Sequence, residues 1–77
     1  MKTTILFFGM LAEATGIDKT EIENVNNSDT LINYLTTTYP LLKNKTYRVA
    51  VNKKLITGNE LLSEGDIIAL LPPFAGG

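Results

Sequence analysis

Short apolar runs alternate with polar punctuation along this chain, and each run is the length of one strand or one short helix. Thr3-Thr4-Ile5-Leu6-Phe7-Phe8 is β-branched and aromatic, and from Ile5 onward its apolar residues occupy both faces. A half-buried strand would alternate, so the run predicts a strand covered on both sides or one facing a large partner surface. Gly9 closes it. Met10 to Thr15 predicts a short helical turn that Gly16 ends in a left-handed conformation, which glycine adopts without a Cβ clash. Ile17 to Val25 is polar apart from Ile22 and Val25 and reads as an edge strand returning beside the first.

Asn27-Ser28-Asp29 offers three successive N-cap residues, followed at once by Leu31-Ile32-Asn33-Tyr34-Leu35. Leu31, Leu35 and Thr38 fall on one face, with Ile32 and Tyr39 beside them. Thr36-Thr37-Thr38 propagates a helix poorly, and Pro40 disfavours helical geometry at Tyr39, so the helix should stop there after about ten residues. Tyr47 to Val51 predicts a strand, Asn52-Lys53-Lys54 a polar turn, and Leu55-Ile56 a second, short strand. Leu61 and Leu62 belong to a compact connection, and Glu64-Gly65-Asp66 to a tight turn. Ile67-Ile68-Ala69-Leu70-Leu71 is continuously apolar and predicts a central strand.

The two most apolar strands are the first and the last, so they should pair at the centre of a mixed sheet with one helix across a face. That α+β arrangement is a β-grasp, or ubiquitin-like, layout. The expected division is a domain over residues 1–71 and an extended tail over 72–77. A chain of 77 residues buries only roughly 60% of its unfolded surface on folding, so one small core is all it can build.

Composition narrows the chemistry sharply. There is no cysteine and no histidine. Thiol nucleophiles, Ser-His-Asp triads, CxxC redox motifs, zinc fingers and iron–sulfur clusters are therefore excluded. A net charge of −1 argues against a nucleic-acid footprint. The apolar run from Ile5 to Ala12 falls far short of the ~20 residues of a spanning helix. Ala12-Glu13-Ala14 imitates a signal-peptidase site but lies too early in the chain, so the expected location is the cytoplasm. There the glycosylation patterns at Asn26 and Asn44 are idle. Glu21 and Glu23 would share one face of an edge strand, where charge blocks sheet aggregation more often than it serves acid–base chemistry.

The most informative segment is the end, Pro72-Pro73-Phe74-Ala75-Gly76-Gly77. The prolines lack N–H donors, end the strand ladder and favour extended backbone, so six residues reach roughly 20 Å. Phe74 is the candidate anchor on a partner, and Gly76-Gly77 are slim enough for a narrow channel. The remaining unusual group is the α-carboxylate of Gly77. Joined to a nucleotide phosphate as an acyl adenylate it becomes an acyl donor for sulfide or an amine. Gly58 and Gly65 are isolated turn glycines, not a phosphate-cradling loop, so an external enzyme must perform that activation.

Ile5-Leu6-Phe7-Phe8-Gly9, Tyr39-Pro40, Val49-Ala50-Val51-Asn52, Leu62-x-x-Gly65-Asp66 and Leu71-Pro72-Pro73-Phe74-Ala75-Gly76-Gly77 together resemble the small subunit of molybdopterin synthase. This is the MoaD-like group of ubiquitin-like sulfur carriers, and the resemblance spans essentially the whole chain. Phe74 departs from it where the family often has valine, and Ala12-Glu13 where many relatives carry a basic residue.

The resemblance implies that an ATP-dependent, E1-like enzyme adenylates Gly77 and that a sulfur donor enzyme converts it to a thiocarboxylate. The tail, Pro72, Pro73, Phe74, Ala75 and Gly76, would enter the large synthase subunit. Sulfur would pass there to cyclic pyranopterin monophosphate, building the molybdopterin dithiolene. It further implies a heterotetramer with the large subunit and catalysis on that subunit, and it implies no metal or cofactor for this chain; no membrane or nucleic-acid partner is expected from the composition. Two alternatives share the diglycine end: a ThiS-like sulfur carrier for thiamine thiazole synthesis and a ubiquitin-like protein modifier.

Overall fold

A computed structural model describes residues 1–73, so Phe74, Ala75, Gly76 and Gly77 lie outside the described residues. Strands run over Lys2–Phe7 (β1), Lys19–Glu23 (β2), Arg48–Val51 (β3), Lys54–Ile56 (β4) and Ile67–Leu71 (β5). Helices run over Met10–Thr15 (α1) and Ser28–Thr38 (α2), and a 3-10 helix covers Pro40–Asn44. The sheet order is β2-β1-β5-β3-β4, with β1 and β5 parallel and every other neighbouring pair antiparallel. The first and last strands are thus adjacent at the sheet centre, and the fold is a β-grasp.

Thr3, Ile5, Phe7, Ile68 and Leu70 point to one face of the sheet and are buried. They pack with Leu31 and Leu35 of α2, Leu11 of α1, and Leu42 and Leu62 from the connections. Phe7 meets Tyr39 edge to face, with ring centroids 5.8 Å apart.

The start of α2 is tied down from two directions. Asn27 is the cap, its side-chain oxygen accepting from the Thr30 N–H at 2.9 Å. Ser28, buried, accepts from the Glu60 N–H through Oγ at 2.8 Å, while its own N–H donates to the Glu60 carbonyl at 2.8 Å. The loop at Asn59 and Glu60 therefore pins the helix at its first turn.

Three expectations need correction. Thr38 is exposed: α2 ends there, and Tyr39 turns into the core in its place. Pro40 ends α2 but also begins the 3-10 helix, because a proline at the first helical position gives up only an N–H with no partner to lose. That extra turn delivers the buried Leu42. Finally, of the two alternatives for β1, coverage on both sides does not hold: one face meets the helices and the other is open. Leu6 and Phe8 face away from the helices, and Phe8 is 44% exposed.

Candidate functional site

The tail leaves the sheet at its most constrained point. β5 lies between β1 and β3, and its last residue, Leu71, pairs with Arg48. Pro72 and Pro73 follow without strand pairing, as residues lacking N–H donors must at a ladder's end. Just beyond β1 the Phe8 N–H donates to the Leu70 carbonyl at 3.1 Å, which carries the chain past the tail root before it turns at Gly9.

Gly9 has φ 57 and ψ −132, a region that side chains avoid, and a Cβ built on it would sit 3.0 Å from Cγ of Pro72. The glycine is thus a packing surface for the proline ring, and Pro72 is half-buried against it. From the sequence, Gly9 served only to close a strand; its contact with the tail root needed the three-dimensional pairing of β1 with β5.

The second feature is the uncovered sheet face. Alternation along β1, β3, β4 and β5 places Leu6, Phe8, Ala50, Leu55, Ile67, Ala69 and Leu71 there, around a shallow cavity of about 710 Å³. Phe8, Leu55 and Ile67 are 44%, 49% and 46% exposed, so the apolar surface is open to solvent. Pro72 lines the same cavity, which makes the tail root and the open face one continuous surface. Arg48 and Lys53 are the charged residues among those described in the lining.

Of the predicted tail residues, Pro72 and Pro73 stand at this root, while Phe74, Ala75, Gly76 and Gly77 lie outside the described residues. Glu21 and Glu23 do share a face of β2, and Glu21 pairs with Lys2 at 3.4 Å. Among the described residues no three acidic side chains converge as metal ligands would, and no helix is long and apolar enough to cross a membrane.

Residues 5–77 match the model of the ThiS family. The chain belongs to that family. Within it, the molybdopterin synthase sulfur carrier subunit of Mycobacterium tuberculosis is 33% identical, the match covering 100% of this chain and 99% of the relative. Subunit 1 in the structure of the complex of subunits 1 and 2 of the molybdopterin-converting factor from Helicobacter pylori is 30% identical. It has a TM-score of 0.75 and full coverage of both chains.

Two archaeal structures share the fold at lower identity. The molybdopterin-converting factor subunit 1 of Pyrococcus furiosus, described as putative, has a TM-score of 0.88 at 22% identity, covering 96% of this chain and 99% of that one. The small archaeal modifier protein 1 of Methanosarcina acetivorans has a TM-score of 0.85 at 23% identity, covering 99% and 96%. The resemblance read from the sequence thus holds at the level of family and fold.

Proposed function

We propose that this ThiS-family chain is the sulfur carrier subunit of molybdopterin synthase and that the carried sulfur sits on the carbonyl carbon of Gly77. An E1-like enzyme joins the Gly77 carboxylate to AMP from ATP, with pyrophosphate leaving. Sulfide released by a donor enzyme then attacks the carbonyl carbon through its sulfur, AMP departs with the electron pair of the acyl C–O bond, and a thiocarboxylate results. The large subunit admits the tail and passes the sulfur to cyclic pyranopterin monophosphate. Catalytic groups for that transfer reside on the large subunit, and ATP is consumed by the activating enzyme.

The observation that carries this reading is the end-to-end match to a sulfur carrier subunit, joined to a chain without any thiol. With no cysteine to hold a persulfide, the terminal carboxylate is the group left to bear sulfur. The fold supports the delivery step. The tail root is anchored on Gly9 beside an open apolar face, so a partner can grip the domain and receive the tail together.

Deleting the gene tests the pathway. Molybdoenzyme activity should vanish and return with the intact gene. Normal molybdoenzyme activity with thiazole auxotrophy would place the chain in thiamine synthesis instead.

A further inference from the structure

The sheet ends in two edges of different kinds. β4 is three residues long, and its charged residue is Lys54. β2, at the other edge, is five residues long and reads Lys19-Thr20-Glu21-Ile22-Glu23. The Phe7 N–H donates to the Asp18 carbonyl at 3.0 Å, and the Asn24 N–H to the Met1 carbonyl at 2.8 Å. Backbone groups of the even-numbered β2 residues therefore point at β1, and antiparallel alternation turns those of Lys19, Glu21 and Glu23 outward. A row of outward N–H and C=O groups is a template for a further strand.

Charge along this edge is mixed in sign, unlike a purely repulsive guard. Ile22 is buried in the core, so Lys19, Glu21 and Glu23 project together from the opposite face of β2. Glu21 already has a cation, Lys2 Nζ at 3.4 Å. Lys19 and Glu23 enter no ion pair among the described residues, and they stand symmetrically on either side of Glu21. When two copies of β2 are laid antiparallel about Glu21, Lys19 of each falls opposite Glu23 of the other. The same register gives every outward N–H a carbonyl on the other copy and sets Ile22 across from Thr20 on the core side. Glu21 meets its own copy there, each carboxylate neutralised by the Lys2 beside it.

We propose that the β2 edge is a self-association surface, on which two copies of this chain pair antiparallel about Glu21 through reciprocal Lys19–Glu23 contacts. The pairing joins two five-stranded sheets into one. It makes the two β5 strands run in opposite directions, so the tail roots at Leu71 lie toward opposite ends of the joined sheet. Both open faces and both tail roots stay uncovered. A five-residue edge spans only roughly 17 Å and falls short of the ~1,200 Å² of a stable interface, so the dimer forms at high concentration. The pairing does not depend on the sulfur-carrier reading.

The test is sedimentation velocity of the full chain from about 10 μM to about 1 mM, with melts to confirm folding. Salt at about 0.1 M screens charges more than about 10 Å apart. Wild type should form a dimer across that range. Lys19→Glu sets carboxylate against carboxylate at both contacts, and Glu23→Lys sets ammonium against ammonium. Each variant alone should dimerise at least about tenfold more weakly than wild type. An equimolar mixture of the two should recover wild-type association, because each contact then joins opposite charges. Lys43→Glu makes the same change of charge in the 3-10 helix and should leave the dimer intact. In wild type, amide hydrogen exchange should slow with concentration more at Lys19, Glu21 and Glu23 than at Thr20 and Ile22.

A monomer throughout that range, or a mixture no stronger than its components, would overturn the proposal. So would a dimer that both edge variants leave intact, which would place self-association on the open face instead. Equal weakening by Lys43→Glu would assign the effect to net charge and overturn it as well. None of these outcomes bears on the chemistry at Gly77.

Discussion

Gly9 and Pro72 touch across the sheet: a Cβ on the glycine would lie 3.0 Å from the proline Cγ. The contact joins the end of the first strand to the first residue after the last. Gly16 provides a comparison without a neighbour. It too has a positive φ, 81, but nothing lies within 4 Å of a Cβ built there.

Gly16→Ala should therefore lose about 1–2 kcal/mol through backbone strain, and Gly9→Ala more, because its ψ of −132 lies outside the left-handed helical region. Only Gly9→Ala should also displace Pro72 and slow sulfur transfer to the large subunit. Melting curves and single-turnover transfer assays on the two variants separate strain from tail direction. Equal transfer rates would show that the Gly9 contact does not steer the tail.

Ser28→Ala tests the pin between the loop at Glu60 and α2. The Ser28 hydroxyl accepts from the Glu60 N–H at 2.8 Å and is itself buried, so its removal leaves that N–H without this acceptor. The expected loss is about 1–3 kcal/mol, read as a lower midpoint in denaturant with an unchanged slope. Affinity for the large subunit should hold, because Ser28 lies away from the open face and the tail root.

Much of this architecture was legible in the chain because local signals and the global fold agreed. Ile67 to Leu71 is an uninterrupted apolar run, and it forms the central strand over those same residues. Asn27 to Asp29 announced the start of α2, and Asn27 proved to be the cap. Gly16 ended α1 in the left-handed region as its position implied.

The rest depended on information that spacing does not carry. Pro40 signals a helix end and a helix start equally well, so the 3-10 turn that buries Leu42 was hidden. The doubly apolar run from Ile5 to Phe8 says that both faces avoid water without saying what covers each. One face meets the helices, and the other forms the open surface. Lys53 carries no local mark of positive φ; only the Val51–Lys54 pairing imposes it. The contact of Gly9 with Pro72 arises from a parallel pairing between the two ends of the chain, which no local pattern encodes.

Phe74→Ala tests the proposed anchor in the tail. Transfer of an aromatic side chain from water into a partner contributes about 1.5–3 kcal/mol, so affinity for the large subunit should fall by one to two orders of magnitude, about 10–150-fold. Because the sequence predicts that Phe74 lies outside the core, the melting temperature of the free chain should stay within about 1 °C of wild type. Unchanged affinity in calorimetry would assign the anchoring to other residues.

The central claim is that sulfur is carried on the terminal carbonyl, and intact-mass spectrometry after incubation with the E1-like enzyme, ATP and a sulfur source tests it most directly. The account predicts a mass change equal to exchange of one oxygen for sulfur, placed on Gly77 by fragmentation and abolished when Gly77 is deleted or extended by further residues. An unmodified mass under those conditions, or sulfur found anywhere other than Gly77, would contradict it.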